Sequence, residues 1–204
     1  MAKLYFRYGA MNSGKSTALL QAAYNYEERG QKVALIKPSV DTKGDEKIVS
    51  RLGVSRAVDF TVAPDEDLHL KFNLYRAGGD PVDCLIVDEA QFLTEAQVDS
   101  LFRIATLDGI PVLAYGIRTD FQTVAFPGSR RLLEVAHSLE ELKTICRCGK
   151  KAMFNGRKLG GVYVFDGDQV AIDGADAEYE SLCGLCYLAE SRGQLTPAPA
   201  ATVA

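Results

Sequence analysis

The stretch Leu4-Tyr5-Phe6-Arg7-Tyr8-Gly9-Ala10-Met11-Asn12-Ser13-Gly14-Lys15-Ser16 decides how this chain is read. Lys3 to Tyr8 has the composition of a short strand, and Gly9 to Ser16 fits the phosphate-loop pattern G-x-x-x-x-G-K-[ST] at the opening of a helix. The spacing has a physical reason. The glycines let the backbone turn its N–H groups inward around phosphate oxygens at a helix N-terminus, Lys15 reaches the β- and γ-phosphates, and Ser16 offers a hydroxyl to Mg²⁺. On this reading Gly9, Ala10, Met11, Asn12, Ser13, Gly14, Lys15 and Ser16 bind a nucleotide. The alternative is a glycine-containing turn with a surface lysine, which does not call for a strand before it and a helix after it.

Working outward, the helix is expected to run to about Arg29, with Gly30 as its stop, and Lys32 to Lys37 to form a second strand ended by Pro38. That is one βαβ unit, whose parallel strands need the helix as a crossover. Ser39 to Arg56 is polar and without period, and reads as a mobile loop or short helix near a ligand. Asp65-Glu66-Asp67 puts acid at the start of a helix closed by Gly78-Gly79. Cys84-Leu85-Ile86-Val87-Asp88 is an apolar run of buried parallel-strand type. Thr94-Glu95-Ala96-Gln97 is a capping box for a helix that stops near Gly109, and Ile110 to Gly116 is the next core strand. Strands alternating with helices over about 145 residues predict an α/β fold: a doubly wound parallel sheet with helices on both faces.

After Ile145 the alternation ends. A two-strand ribbon is expected from Val162 to Phe165 and Gln169 to Ile172, turning at Asp166-Gly167-Asp168. It is flanked by Cys146-Arg147-Cys148-Gly149 and Cys183-Gly184-Leu185-Cys186, with 34 residues between the pairs. A lobe of roughly 45 residues is too small to be held by apolar burial alone. Four thiolates in tetrahedral array make a closed structural Zn²⁺ site, so Cys146, Cys148, Cys183 and Cys186 are read as ligands of a metal that folds the lobe. A redox dithiol and unliganded thiols are the alternatives; no helix-opening C-x-x-C follows a βαβ pattern here. Cys84 reads as a small buried hydrophobe, and two histidines exclude a histidine-rich metal site. The expected organisation is a nucleotide-binding domain over 1–145, a metal lobe over 146–190, and a disordered tail over 191–204.

The 204 residues, 47% hydrophobic and 25% charged, have the composition of an ordinary globule. A net charge of −4 and a pI near 5.3 give no basic field for nucleic acid or anionic lipid. No stretch approaches the ~18 apolar residues of a membrane helix, and the N-terminus meets a strand without a signal-peptide core, so a cytoplasmic location is expected.

Asp88 and Glu89 stand at the carboxyl end of the buried apolar strand, where open α/β sheets gather ligands. Asp88 is placed to serve the Mg²⁺ of a bound nucleotide, and Glu89 to act as general base on a second substrate; the alternative for Glu89 is a solvated strand-end acid. Phe92, Phe121 and Phe126 leave the carboxyl ends of strands where a planar base would sit, and Tyr179 lies in the cysteine lobe. Each of these rings taken alone fits a core role better than a stacking one; it is the placement of the first three at strand ends that favours stacking.

Taken together, Tyr8 to Thr17, Val87-Asp88-Glu89-Ala90-Gln91-Phe92, Tyr115 to Phe121 and the four-cysteine lobe resemble the zinc-containing cytosolic (type II) thymidine kinases over about residues 3–190. The resemblance implies a RecA-like core and a small C-terminal zinc-binding ribbon, with a lasso segment that covers the nucleoside. It implies ATP-dependent phosphorylation of thymidine at its 5′-hydroxyl, with Mg²⁺ at the nucleotide and Zn²⁺ in the lobe. The protein is then usually a homotetramer, inhibited by dTTP. Glu89 is implied as the base, and Asp88 and Gln91 join the nucleotide-binding residues. Met11, Phe92, Phe121, Phe126 and Tyr179 are implied to line the thymine pocket, and Arg51 matches a basic residue near the phosphates. The sequence departs from the pattern in its C-x-C at 146–148, and in an extra residue before Tyr179. Three rival readings are a nucleic-acid ATPase, a zinc module with a relic phosphate loop and a GTP switch. They meet, respectively, one domain with no basic groove, intact Lys15, Ser16, Asp88 and Glu89, and the lack of an N-K-x-D motif.

Overall fold

Leu4 and Phe6 are fully buried while Tyr5, Arg7 and Tyr8 are partly covered, and Leu4–Tyr8 forms strand β1. The computed structural model describes residues 1–40, 47–50, 53–79, 81–169 and 177–195. These divide into two compact units. The first comprises Met1–Gly9, Gly14–Arg118 and Phe126–Leu142; the second takes Ala10–Ser13, Thr119–Ala125 and the described residues from Lys143 onward.

In the first unit β1 is followed by α1 (Lys15–Glu27), β2 (Val33–Pro38), β3 (Lys47–Val49), β4 (Ser55–Ala57), β5 (Phe60–Val62), α2 (Leu68–Ala77) and β6 (Cys84–Val87). A 3-10 turn at Ala90–Phe92, α3 (Glu95–Thr106), β7 (Val112–Gly116), α4 (Pro127–Val135) and β8 (Ser138–Glu141) complete it. Six strands lie parallel in the order β5-β2-β6-β7-β1-β8. Every residue of β2, β6 and β7 is buried, as strands covered on both faces require. Alternate side chains divide the core in two. Ala34, Ile36, Leu85, Val87, Val112 and Ala114 join Phe72 of α2, Leu101 of α3 and Leu132 of α4 on one face. Val33, Leu35, Ile86, Leu113 and Tyr115 join Leu19 and Ala23 of α1 on the other. The doubly wound parallel sheet expected from the sequence is the fold observed.

Two segments differ from the expectation. Part of the polar stretch after Pro38 forms a hairpin, β3 with β4, because Ile48 is buried in the α1-side core and anchors the pair; residues 41–46 and 51–52, Arg51 among them, lie outside the described residues. Ser138–Glu141 has no apolar alternation, yet it becomes a strand because the open side of β1 offers a row of backbone partners from Tyr5 to Tyr8.

The second unit contains β9 (Thr144–Ile145), β10 (Lys151–Ala152), β11 (Phe154–Leu159), β12 (Val162–Val164), β13 (Ala177–Leu182) and α5 (Gly184–Glu190). Its three-stranded sheet runs β12-β11-β13, and its small core joins Cys146, Ala152, Leu182, Cys183 and Tyr187. One strand of the expected ribbon is observed at Val162–Val164. Val162–Val164 pairs with Phe154–Leu159 across Gly160-Gly161, whose φ angles of 57° and 81° suit a tight hairpin. The expected partner strand at 169–172 falls mostly outside the described residues, as do 196–204 of the expected tail. Among the described residues no helix is long and apolar enough to cross a membrane.

Candidate active site

The phosphate-loop pattern is a loop between β1 and α1, as its spacing predicts. Gly14 takes a left-handed φ of 79° and, having no side chain, leaves the first turn of α1 without a side-chain cap. Such an uncapped helix start directs backbone N–H groups toward an anion. Gly9 N–H donates to the Gly116 carbonyl at 3.3 Å, which ties the start of the loop to the end of β7.

Asp88 and Glu89 follow the last residue of β6, on a sheet whose parallel strands put their carboxyl ends on one side. Asp88 is buried at 6% exposure, and its carboxylate accepts from Glu89 N–H at 3.0 Å. Glu89 adopts φ 47° and ψ 39°, a left-handed backbone that a non-glycine residue holds only when its surroundings impose it. Gln91 imposes part of it. Its buried amide donates through Nε2 to the Glu89 carboxylate and accepts through Oε1 from Ile117 N–H at 3.2 Å. Gln91 therefore orients Glu89, a task the sequence did not reveal, since a glutamine two residues on carries no signal of which way its amide turns. Gly128, at the start of α4, packs so tightly on this turn that a Cβ would stand 2.5 Å from the Ala90 carbonyl oxygen and 2.7 Å from that of Leu93.

Of the aromatic residues, Phe92 and Phe126 meet edge to face with centroids 5.5 Å apart. Phe121 and Tyr179 belong with Met11 to the second unit. Phe121 is 1% exposed; the Arg157 guanidinium lies 3.7 Å from its ring centroid, and its carbonyl accepts from the buried Tyr187 hydroxyl at 2.7 Å. Burial, with Asp120 nearby, pushes the Tyr187 phenol up to about 12, so this donor keeps its proton.

The loop segment Ala10–Ser13 is held from within the second unit. Met11 N–H donates to Asn155 Oδ1 at 2.7 Å, Ser181 Oγ donates to the Met11 carbonyl, and Asn12 Nδ2 reaches the Tyr179 carbonyl at 3.4 Å. Asn155 also donates to the Thr119 carbonyl at 2.9 Å. Neither Asn155 nor Ser181 stands out in the sequence; the β11–β13 register makes them partners.

Cys146, Cys148, Cys183 and Cys186 come together with all four sulfurs within 4.8 Å of one another, a cluster able to hold a metal ion. The tight C-x-C is accommodated by a sharp turn in which Gly149, at φ 81°, donates to the Cys146 carbonyl at 2.8 Å. Burial raises the Cys146 thiol, but N–H groups of Cys148 and Cys183 and neighbouring thiols outweigh it and bring it down to about 7. Thiol neighbours, Cys148 and Cys146 first, push Cys186 up to about 12. Cys84 is buried in the β6 core, as expected.

A family profile described as "Thymidine kinase" matches residues 2–187. The chain is 48% identical over 190 residues to a thymidine kinase of Rhodopirellula baltica, covering 92% of this chain and 88% of the relative. It is 49% identical to one of Rhizobium meliloti, covering 90% and 94%, and 45% identical to one of Legionella pneumophila strain Paris, covering 97% and 94%.

Proposed function

The chain belongs to the thymidine kinase family, and from that membership we propose that it transfers the γ-phosphate of ATP to the 5′-hydroxyl of thymidine, giving dTMP and ADP. The single observation that carries the chemistry is the Glu89 turn: a carboxylate on a strained backbone, oriented by Gln91, next to an aspartate at the end of a parallel strand.

In this reading the phosphate-loop residues Gly9 to Ser16 bind ATP, with Lys15 neutralising charge on the transferring phosphoryl. Ser16 and Asp88 are the residues that would hold Mg²⁺, which would supply positive charge to offset the charge that develops on the phosphates. The Glu89 carboxylate accepts the 5′-hydroxyl proton as that oxygen bonds to the γ-phosphorus and the bond to the β-phosphate oxygen breaks. Gln91, which the resemblance implies among the nucleotide-binding residues, is proposed to serve them by orienting Glu89. Met11, Phe92, Phe121, Phe126 and Tyr179 are the residues that the family resemblance implies for binding thymine.

Zn²⁺ suits the cysteine cluster. Four sulfurs at about 2.3 Å from a tetrahedral ion stand roughly 3.8 Å apart, and Cys148 Sγ and Cys183 Sγ are 3.5 Å apart. With four protein ligands the site is closed and structural. We further propose the division into a nucleotide domain over 1–145 and a zinc lobe over 146–190, a cytoplasmic homotetramer, and dTTP as feedback inhibitor, as the family resemblance implies.

The test is ADP release with ATP and Mg²⁺ in the presence of thymidine, deoxycytidine, single-stranded DNA or no acceptor. Release with thymidine, matched by dTMP, is expected; release driven by DNA or without any acceptor refutes the proposal. Replacing Glu89 with Gln is expected to preserve ATP binding and cut turnover at least about a hundredfold. A Glu89→Gln variant within threefold of the parent removes Glu89 from the role of base.

A further inference from the structure

The Met11 peptide is gripped from two directions by one cross-strand pair. Asn155 on β11 and Ser181 on β13 stand directly opposite each other. Asn155 accepts from Met11 N–H at 2.7 Å, and Ser181 donates to the Met11 carbonyl. Both side chains are more than nine-tenths buried, Asn155 at 2% exposure and Ser181 at 7%. The Asn155 amide is used at both ends, since Nδ2 donates to the Thr119 carbonyl at 2.9 Å.

Met11 is the third residue of the phosphate loop, and the next, Asn12, carries a left-handed φ of 66°. A non-glycine residue stays in that region only when its neighbours over-determine it. Fixing both the N–H and the carbonyl of Met11 sets the plane of the peptides on either side of it, and so the curvature with which the chain enters Asn12, Ser13 and Gly14. The N–H groups that wrap a phosphate must converge within a few tenths of an ångström to act together. A loop left to fluctuate would have to be ordered by the ligand, at the expense of affinity.

We propose that Asn155 and Ser181 are positioning residues that pre-shape the phosphate loop, so that the four-cysteine lobe supplies part of the binding energy for the nucleotide as well as for the nucleoside. The proposal rests on the kinase reading for the identity of the nucleotide. Because β13 leads directly into Cys183, the metal cluster and the hydroxyl that holds the loop lie on one short piece of chain.

The experiment is the affinity of the metal-loaded full chain for Mg·ATP without thymidine, with metal content and melting temperature recorded for each variant. Ser181→Ala, which deletes the hydroxyl, is expected to weaken Mg·ATP binding about five- to tenfold, the loss of one buried hydrogen bond. Ser181→Thr restores the hydroxyl and should bind within about twofold of the parent. A general packing defect would not be rescued in this way. Hydrogen exchange at the Met11 amide of the nucleotide-free parent needs no variant at all: slow exchange is expected, and exchange at the rate of an open loop overturns the proposal. So does unchanged affinity in a folded, metal-loaded Ser181→Ala protein. If the parent binds Mg·ATP but makes no dTMP, the kinase reading fails while both measurements still decide the clamp.

Discussion

Glu89 holds a left-handed backbone that costs an L-residue about 1–2 kcal/mol, and the turn around it is fixed from two sides, by the Gln91 amide and by Gly128. Removing either support tests whether the turn is pre-set. Gln91→Ala is expected to lower turnover about tenfold or more with little change in the KM for ATP, measured in steady state, because the Glu89 carboxylate loses its orienting donor while the phosphate loop keeps its residues. At Gly128 a methyl group would meet three backbone oxygens, those of Ala90, Leu93 and Gln91, at 2.5, 2.7 and 2.9 Å. Backbone cannot swing aside as a side chain can, so Gly128→Ala should cost about 1–3 kcal/mol of stability in a denaturation curve and depress turnover as well. Neither role was legible in the sequence. Asp88 and Glu89 announce themselves by following a buried apolar run, whereas a glutamine's direction and a glycine's crowding exist only once α4 has packed on the turn.

At the scale of elements, the start of α3 was readable because its signal is local. Thr94 and Gln97 make the reciprocal capping bonds, 3.3 Å to the Gln97 N–H and 3.1 Å from the Thr94 N–H. What the sequence did not show is the second task of Gln97: its Nε2 donates to the Ala63 carbonyl at 2.7 Å and the Glu66 carbonyl at 3.1 Å, fastening the segment before α2. Gln97→Ala should therefore cost about 2 kcal/mol, more than a cap alone, and lower the melting temperature by roughly 4–8 °C. In the β12-β11-β13 sheet, the Lys158 ammonium and the Tyr163 hydroxyl bond to Glu180 and hold its carboxyl below the usual range. A depressed carboxylate stabilises the fold fully above its unfolded pKa, and the contribution is lost as pH falls through the folded one. Acid unfolding should begin at higher pH for the parent with Lys158→Met, while Glu180→Gln should flatten the pH dependence in that window. The Val162 strand was readable from its apolar residues, whereas its hairpin with β11 across Gly160-Gly161 was not, because two glycines do not say which strand will pair across them.

For the whole molecule, the cysteine cluster sits in the small core of the second unit with Leu182 and Tyr187, and Tyr187 reaches the Phe121 carbonyl. Metal removal should then act on substrate handling and not only on stability. Chelation, or Cys183→Ser, is expected to release one metal ion per chain and lower the melting temperature. It should abolish thymidine phosphorylation while circular dichroism retains the signal of the parallel sheet and its helices, whose core lies in the first unit. Loss of all secondary structure on chelation would count against a metal role confined to the second unit.

The sequence by itself determined the parallel α/β core, the phosphate loop, the acidic strand end and the four cysteines. Each of these is written in short-range chemistry: apolar runs whose period sets the strand, glycines where the backbone must turn, thiols at ligand spacing. The tertiary structure decided the rest. Ser138–Glu141 became an edge strand because β1, paired with β7 on one side, offered free backbone groups on the other, Gln91 turned to Glu89, and Asn155 and Ser181 closed on Met11 across 144 and 170 residues of chain. Such contacts depend on strand register and on which backbone groups remain unpaired after packing, and neither quantity exists until distant parts of the chain have met.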